Sequence, residues 1–175
     1  MLFLDWLRAA GTVLGMSMLP VLEVKAAIPV GLAMGLPLWE TFFIALLGSC
    51  IPVPFILLLL RPVLDWFYTL PIKPVRRFAA WLEKRSARKR EKMHAKKSSG
   101  IRGWLQGRVS QETIELLGLY IFVALPLPGT GCWTGSAIAT LFEMPRLKSA
   151  IVILLGNFTA CAITLFATMG VSSIF

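Results

Sequence analysis

The sequence predicts an all-α membrane protein made of two inverted repeats, each a re-entrant helical hairpin followed by a transmembrane helix. Three observations carry that expectation. First, 57% of the 175 residues are hydrophobic and only 15% are charged, which lies outside the range of soluble globular chains. Second, the apolar stretches are cut at matching places. At an offset of 108 positions, Pro20 meets Pro128, Pro37 meets Pro145, and Leu46-Leu47-Gly48 meets Leu154-Leu155-Gly156. Third, the charge is localised. Between Pro71 and Arg108 there are thirteen Lys or Arg against two Glu, a net of +11, so the rest of the chain is near −2. Lys and Arg stay on the cytoplasmic side of a cell (inner) membrane, so this segment sets the orientation of a multi-pass chain.

Phe3 to Leu19 is helical in character, with Gly11 and Gly15 spaced for close helix approach. The break Leu19 to Pro29 follows, and it contains Glu23 and Lys25. Val30 to Leu36 is apolar again, and Pro37 ends it. Leu38 to Leu60 is long enough to cross a hydrocarbon core of about 30 Å, with Pro52 and Pro54 expected to kink it and Arg61-Pro62 to end it. Val63 to Leu70 reads as an interfacial continuation carrying Trp66, Phe67 and Tyr68. Val75, Phe78, Ala79 and Leu82 share one face of an amphipathic helix that then becomes wholly basic. Ser110-Gln111-Glu112-Thr113 has the composition of a helix start, leading into Ile114 to Ala124. The stretch Ala124–Gly135, ALPLPGTGCWTG, cannot be a regular helix, because Pro126 and Pro128 remove donors and Gly129 and Gly131 permit unusual backbone. Trp133 to Phe142 is a short arm, and Leu147 to Met169 is the second span.

The short arms decide the topology. Ala26 to Leu36 is eleven residues, about 16 Å as helix, roughly half the hydrocarbon core. Each arm–break–arm unit is therefore a hairpin with its tip inside the membrane. The expected organisation is repeat one over 1–70 (hairpin 3–36, span 38–60), a basic cytoplasmic helix and linker over 71–109, and repeat two over 110–175 (hairpin 112–144, span 147–169). With the basic segment inside, hairpin one opens outside and hairpin two opens inside. The alternative is a four-helix protein in which the long first arms cross fully. The N-terminus lacks a basic leader region and is expected to be part of the fold.

An ionised group at the bilayer centre costs about 2.5–3.5 kcal/mol, so Glu23 and Lys25 need a function or a partner. A buried Glu23 suits proton exchange, and Lys25 suits an anionic headgroup; the plainer alternative is a mutually neutralised pair near the interface. Pro126, Pro128, Gly129, Thr130 and Gly131 form the facing candidate site, where backbone N–H groups around glycines make an anion nest beside the start of a short helix near Cys132. Arg146 is a candidate phosphate contact at the mouth of hairpin two, or a topological anchor. Glu143 is expected to pair with it. Asn157, mid-span, must find a hydrogen bond and is expected to brace a hairpin tip. Cys50, Cys132 and Cys161 have no metal-ligand spacing and read as inert buried thiols. His94 is the only histidine, and no nucleophile–base set or phosphate loop is visible. No catalytic residue, metal or cofactor is expected. The basic residues of 84–97 suit anionic lipid headgroups rather than nucleic acid.

The phrases Glu23-Val24-Lys25-Ala26-Ala27-Ile28-Pro29-Val30-Gly31 and Pro126-Leu127-Pro128-Gly129-Thr130-Gly131-Cys132-Trp133-Thr134-Gly135 resemble the two signature stretches of the small multidrug export proteins. That family is similar in plan to the DedA superfamily, whose members have two opposed re-entrant hairpins. The DedA likeness implies proton-dependent movement of a lipid phosphate such as undecaprenyl phosphate. DedA proteins carry arginines in the second stretch, whereas here Gly129, Thr130 and Gly131 stand there and Arg146 comes only later. Three functions are expected: a proton-coupled lipid-phosphate transporter or flippase; an exporter of cationic amphiphiles with Glu23 as counter-charge; and a non-transporting membrane organiser acting through the basic helix. A homodimer is the candidate assembly for so small a unit.

Overall fold

In the computed structural model, residues 3–69, 84, 110–127 and 129–172 are described, and all their regular elements are helices. The basic helix expected within 71–109, His94, Pro128 and the side chains of Phe67 and Tyr68 lie outside the described positions. The helices are α1 (Phe3–Met18), α2 (Glu23–Ala33), α3 (Leu38–Cys50), α4 (Pro52–Thr69), α5 (Gln111–Ala124), α6 (Cys132–Leu141) and α7 (Arg146–Ser172).

Most boundaries follow local chemistry. Ser110 caps α5: its backbone is extended and its Oγ accepts the Thr113 N–H at 3.3 Å. Pro37 precedes α3 and Pro145 precedes α7, where a missing donor costs nothing. Two boundaries differ from expectation. The first break spans only Leu19–Leu22, so Glu23 and Lys25 sit on the first turn of α2, and Pro29 lies inside that helix. Proline removes one donor, and a helix packed on neighbours tolerates that loss. Similarly, Pro62 does not end the first long helix, which runs on to Thr69.

The matching order of elements extends to hydrogen bonds. After α2, Leu36 N–H donates to the Gly31 carbonyl at 3.1 Å; after α6, 108 positions later, Met144 N–H donates to Ala139 at 2.9 Å. Thr41 bonds Pro37 as Ser149 bonds Pro145, both at 2.9 Å. The left-handed residue of the connecting turn is Gly35 (φ 82°) in one unit and Glu143 (φ 56°) in the other.

Side-chain contacts fix how the helices run. The Trp6 indole donates to the Glu40 carboxylate, so α1 and α3 begin at the same end. Lys148 bonds Glu112 at 2.7 Å, so α5 and α7 begin together too. Arg61, late in the α3–α4 run, pairs with Glu143 in the turn before α7, so that run leads from the first end to the other. The two helical hairpins thus open at opposite ends and meet tip to tip between them. Each hairpin leans on the other unit's long helix. Hairpin one and α3 share a core with Cys161 and Leu165 of α7; hairpin two shares one with Val53 and Leu57 of α4 and Ile153 of α7.

Small residues permit these approaches. A Cβ on Gly48 would lie 2.7 Å from the Leu14 carbonyl, and one on Gly156 would lie 3.1 Å from that of Tyr120. Gly11 and Gly15, by contrast, have open space beside them. Two helical stretches, Leu38–Trp66 and Arg146–Val171, are long and apolar enough to cross a membrane. Their outward faces carry Phe43, Leu47, Phe55 and Leu58, and Ile151, Leu155, Phe158 and Phe166. A helix in a soluble core buries such side chains; here they face outward, as lipid contact requires.

Candidate functional site

The tips bring together most of the residues singled out from the sequence. Glu23 opens α2 with a left-handed backbone (φ 45°), a strained state for a side-chain-bearing residue, and it is buried. Its carboxylate reaches the start of α6, where Oε1 accepts the Trp133 N–H at 3.4 Å. Helix α6 has no side-chain cap of its own from Gly131, so Glu23 serves as its cap from the other hairpin. Gly131 makes this possible. Its φ of 174° is open to any residue, but a Cβ there would collide with the Glu23 carboxylate. Glu23 and Gly131 are themselves 108 positions apart.

Lys25 completes the junction. Its ammonium lies 3.4 Å from Glu23 Oε2 and donates to the carbonyls of Leu127 and Thr130 in the facing tip. Thr130 folds that tip: its Oγ1 donates to the Leu125 carbonyl at 2.6 Å and accepts the Leu127 N–H at 3.2 Å. Gly129, with φ 81°, supplies the left-handed step. The indole of Trp133 donates to the Met18 carbonyl at 2.9 Å, tying the end of α1 to the start of α6. A cavity of about 380 Å³ opens beside Lys25, walled by Pro29, Pro126, Thr164 and Thr168.

This arrangement differs from the expected anion nest. The N–H groups at the start of α6 already face an internal carboxylate, and the tip offers its carbonyls to an internal ammonium. Arg146 is not part of the junction. It lies past the far end of α6, about 15 Å of helix away, in the company of Arg61 and Glu143. Glu143 pairs with Arg61, not with Arg146 as expected; the α6–α7 turn places it beside α4. Asn157 braces no tip. Its Nδ2 donates to Ser49 Oγ at 2.6 Å and approaches Cys50 Sγ at 3.6 Å, pinning α7 to the break between α3 and α4. Cys132 and Cys161 are buried, and Cys50 is half-buried. Among the described residues, no group of three His, Cys, Asp or Glu is gathered to hold a metal ion.

Nothing in the residue types announces the contacts of Trp133, the accepting role of the Leu127 carbonyl or the close approach of Gly131 to Glu23. Backbone carbonyls leave no trace in a sequence. The 108-residue spacing of Glu23 and Gly131 was the one usable signal, since equivalent residues of two facing tips can meet.

Long apolar helices facing outward, with a partly buried charge pair held between two hairpin tips, define a helical membrane protein with an internal polar site. More particularly, residues 23–163 match the family described as "Putative small multi-drug export protein", and the chain belongs to it. Neither a curated protein nor a solved structure matches the chain.

Proposed function

We propose that this protein exports cationic amphiphiles across a cell membrane, using the tip junction as its binding site. The observation that carries this reading is the coordination of Lys25: one ammonium among a carboxylate oxygen and two carbonyl oxygens contributed by both hairpins. The same oxygens suit the cationic head of a substrate. Lys25 then acts as a tethered stand-in that withdraws when substrate arrives and returns when it leaves. The adjoining cavity, about 380 Å³ and walled mostly by apolar groups, suits the substrate's apolar body. Family membership supports the same class of cargo.

The proposed membrane arrangement is two inverted repeats with re-entrant tips, hairpin one opening outside and hairpin two inside, with 71–109 cytoplasmic. The opposed hairpin mouths and the 108-residue recurrence of caps and turns support it. Sites between inverted repeats near mid-membrane are reached alternately from the two sides. Proton coupling belongs to the proposal: Glu23 takes a proton when neither Lys25 nor substrate faces it. Lipid-phosphate transport has weaker support, since Lys25 and the N–H of Trp133 are engaged within the protein and Arg146 stands apart.

The test is ethidium export from liposomes holding purified protein under an imposed pH gradient, beside a flipping assay for a lipid phosphate. Glu23→Gln is expected to reduce ethidium transport at least about tenfold, in line with losing a buried counter-charge. Lys25→Ala is expected to bind ethidium more tightly yet turn over more slowly, because nothing displaces the cargo. Lipid-phosphate flipping that needs Lys25, with no ethidium movement, would overturn the proposal.

A further inference from the structure

A second polar site lies at the end of the bundle where α5 and α7 begin. A cavity of about 310 Å³ is bounded by Arg61 on α4, Thr140 on α6, Glu143 and Met144 in the following turn, and Arg146 at the start of α7. Two guanidiniums and one carboxylate therefore face one space. Glu143 engages Arg61, and Arg146 has no partner among the described residues, so the cavity carries an uncompensated positive charge. Glu143 is also costly where it stands. It adopts φ 56° in the turn where the other unit has Gly35 at φ 82°, a conformation that glycine takes without strain. Strain kept at such a place points to use of the side chain, which here holds Arg61 at the rim.

We infer that this cavity binds the phosphate diester of an anionic membrane phospholipid. The site sits where a 26-residue candidate span begins, at Arg146, hence at headgroup depth. The lining is mostly polar, as a headgroup requires, and Leu57, Ala139 and Met144 add a smaller apolar part suited to the upper end of an acyl chain. Planar guanidiniums match phosphate oxygens in pairs, which ammonium groups do not. An arriving phosphate engages Arg146 and competes with Glu143 for Arg61. Helix α6 separates this site from the tip junction, and the inference does not depend on what the junction transports.

The experiment follows thermal unfolding of the full chain in neutral detergent during titration with short-chain phosphatidylglycerol, phosphatidylcholine or inorganic phosphate. A saturable upward shift is expected with phosphatidylglycerol alone. Arg146→Gln should raise the half-saturating concentration about tenfold, as expected for losing a charge-assisted pair, and Arg146→Lys should fall between. Glu143→Gln should lower it, because Arg61 is released; a merely structural carboxylate would not sharpen lipid binding. Lys148→Gln, which alters a neighbouring charge already paired with Glu112, should leave it unchanged. Full phosphatidylglycerol selectivity in Arg146→Gln overturns the inference by assigning the effect to other basic residues. An equal shift with inorganic phosphate overturns the lipid assignment in favour of a soluble phosphate.

Discussion

Single residues set the chemistry of the junction, and Gly131 is the most sensitive of them. Its backbone is extended, so a side chain is excluded by space and not by conformation. Gly131→Ala pushes a methyl group into the Glu23 carboxylate, with an overpacking cost of about 1–3 kcal/mol. The expected result is a lower unfolding temperature together with loss of ethidium binding. Gly129→Ala is the control: open space surrounds it, so it meets only the left-handed strain of φ 81° and keeps the junction. Wild-type stability and binding in Gly131→Ala would show that the tips separate without consequence. The charges of this site were legible in the sequence, because a Glu and a Lys in an apolar chain need a reason. Their partners were not. The stretch around Gly129 and Gly131 reads as an anion site, yet it is the Trp133 N–H just after it that serves Glu23, and the Leu127 and Thr130 carbonyls serve Lys25.

At the scale of elements, the recurring prolines and glycines foretold the order of helices well. Pro37 and Pro145 mark the starts of the long helices, and the Ser110 cap marks the start of α5. The break before α2 starts at Leu19 as expected but ends at Leu22, well before the Pro29 that the sequence suggests as its edge. The left-handed start at Glu23, where a glycine would be the ordinary choice, has no compositional signal. The joint between α7 and the α3–α4 break is held by Asn157 and Ser49, again 108 positions apart. Equivalent residues bonding each other places that contact where the two halves meet. In lipid such a bond contributes about 0.6 kcal/mol and at most about 1.7. Ser49→Ala leaves the Asn157 amide with only the weak Cys50 sulfur, so it should destabilise by about 1 kcal/mol. Replacing both, with Asn157→Leu, should cost less than the sum of the single changes, since no buried amide is left to satisfy. Reversible unfolding in mixed detergent measures the coupling; strict additivity would remove the bond from any bracing role.

For the whole molecule, the central question is depth. The composition foretold a membrane protein, and the two outward-facing apolar helices agree. Composition leaves two topologies open for the first arms, and α1, at 16 residues, is short for a span and long for half of one. The Trp6–Glu40 and Lys148–Glu112 contacts put the start of each hairpin beside the start of its long helix, which the proposed re-entrant arrangement requires. In a four-helix topology, α1 would start on the side opposite α3. Substituted-cysteine labelling in cells discriminates, with Cys50, Cys132 and Cys161 first replaced by Ser. Cysteines at Phe3 and Gly35 should both react with an impermeant maleimide from outside, and cysteines at Ser110 and Pro145 only after the inner face is exposed. Labelling of Phe3 from the inside, with Gly35 from the outside, would mean that α1 crosses the bilayer. The proposed mid-membrane position of the two tips would then be lost, and with it the alternating access at the Glu23–Lys25 junction that the proposed export requires.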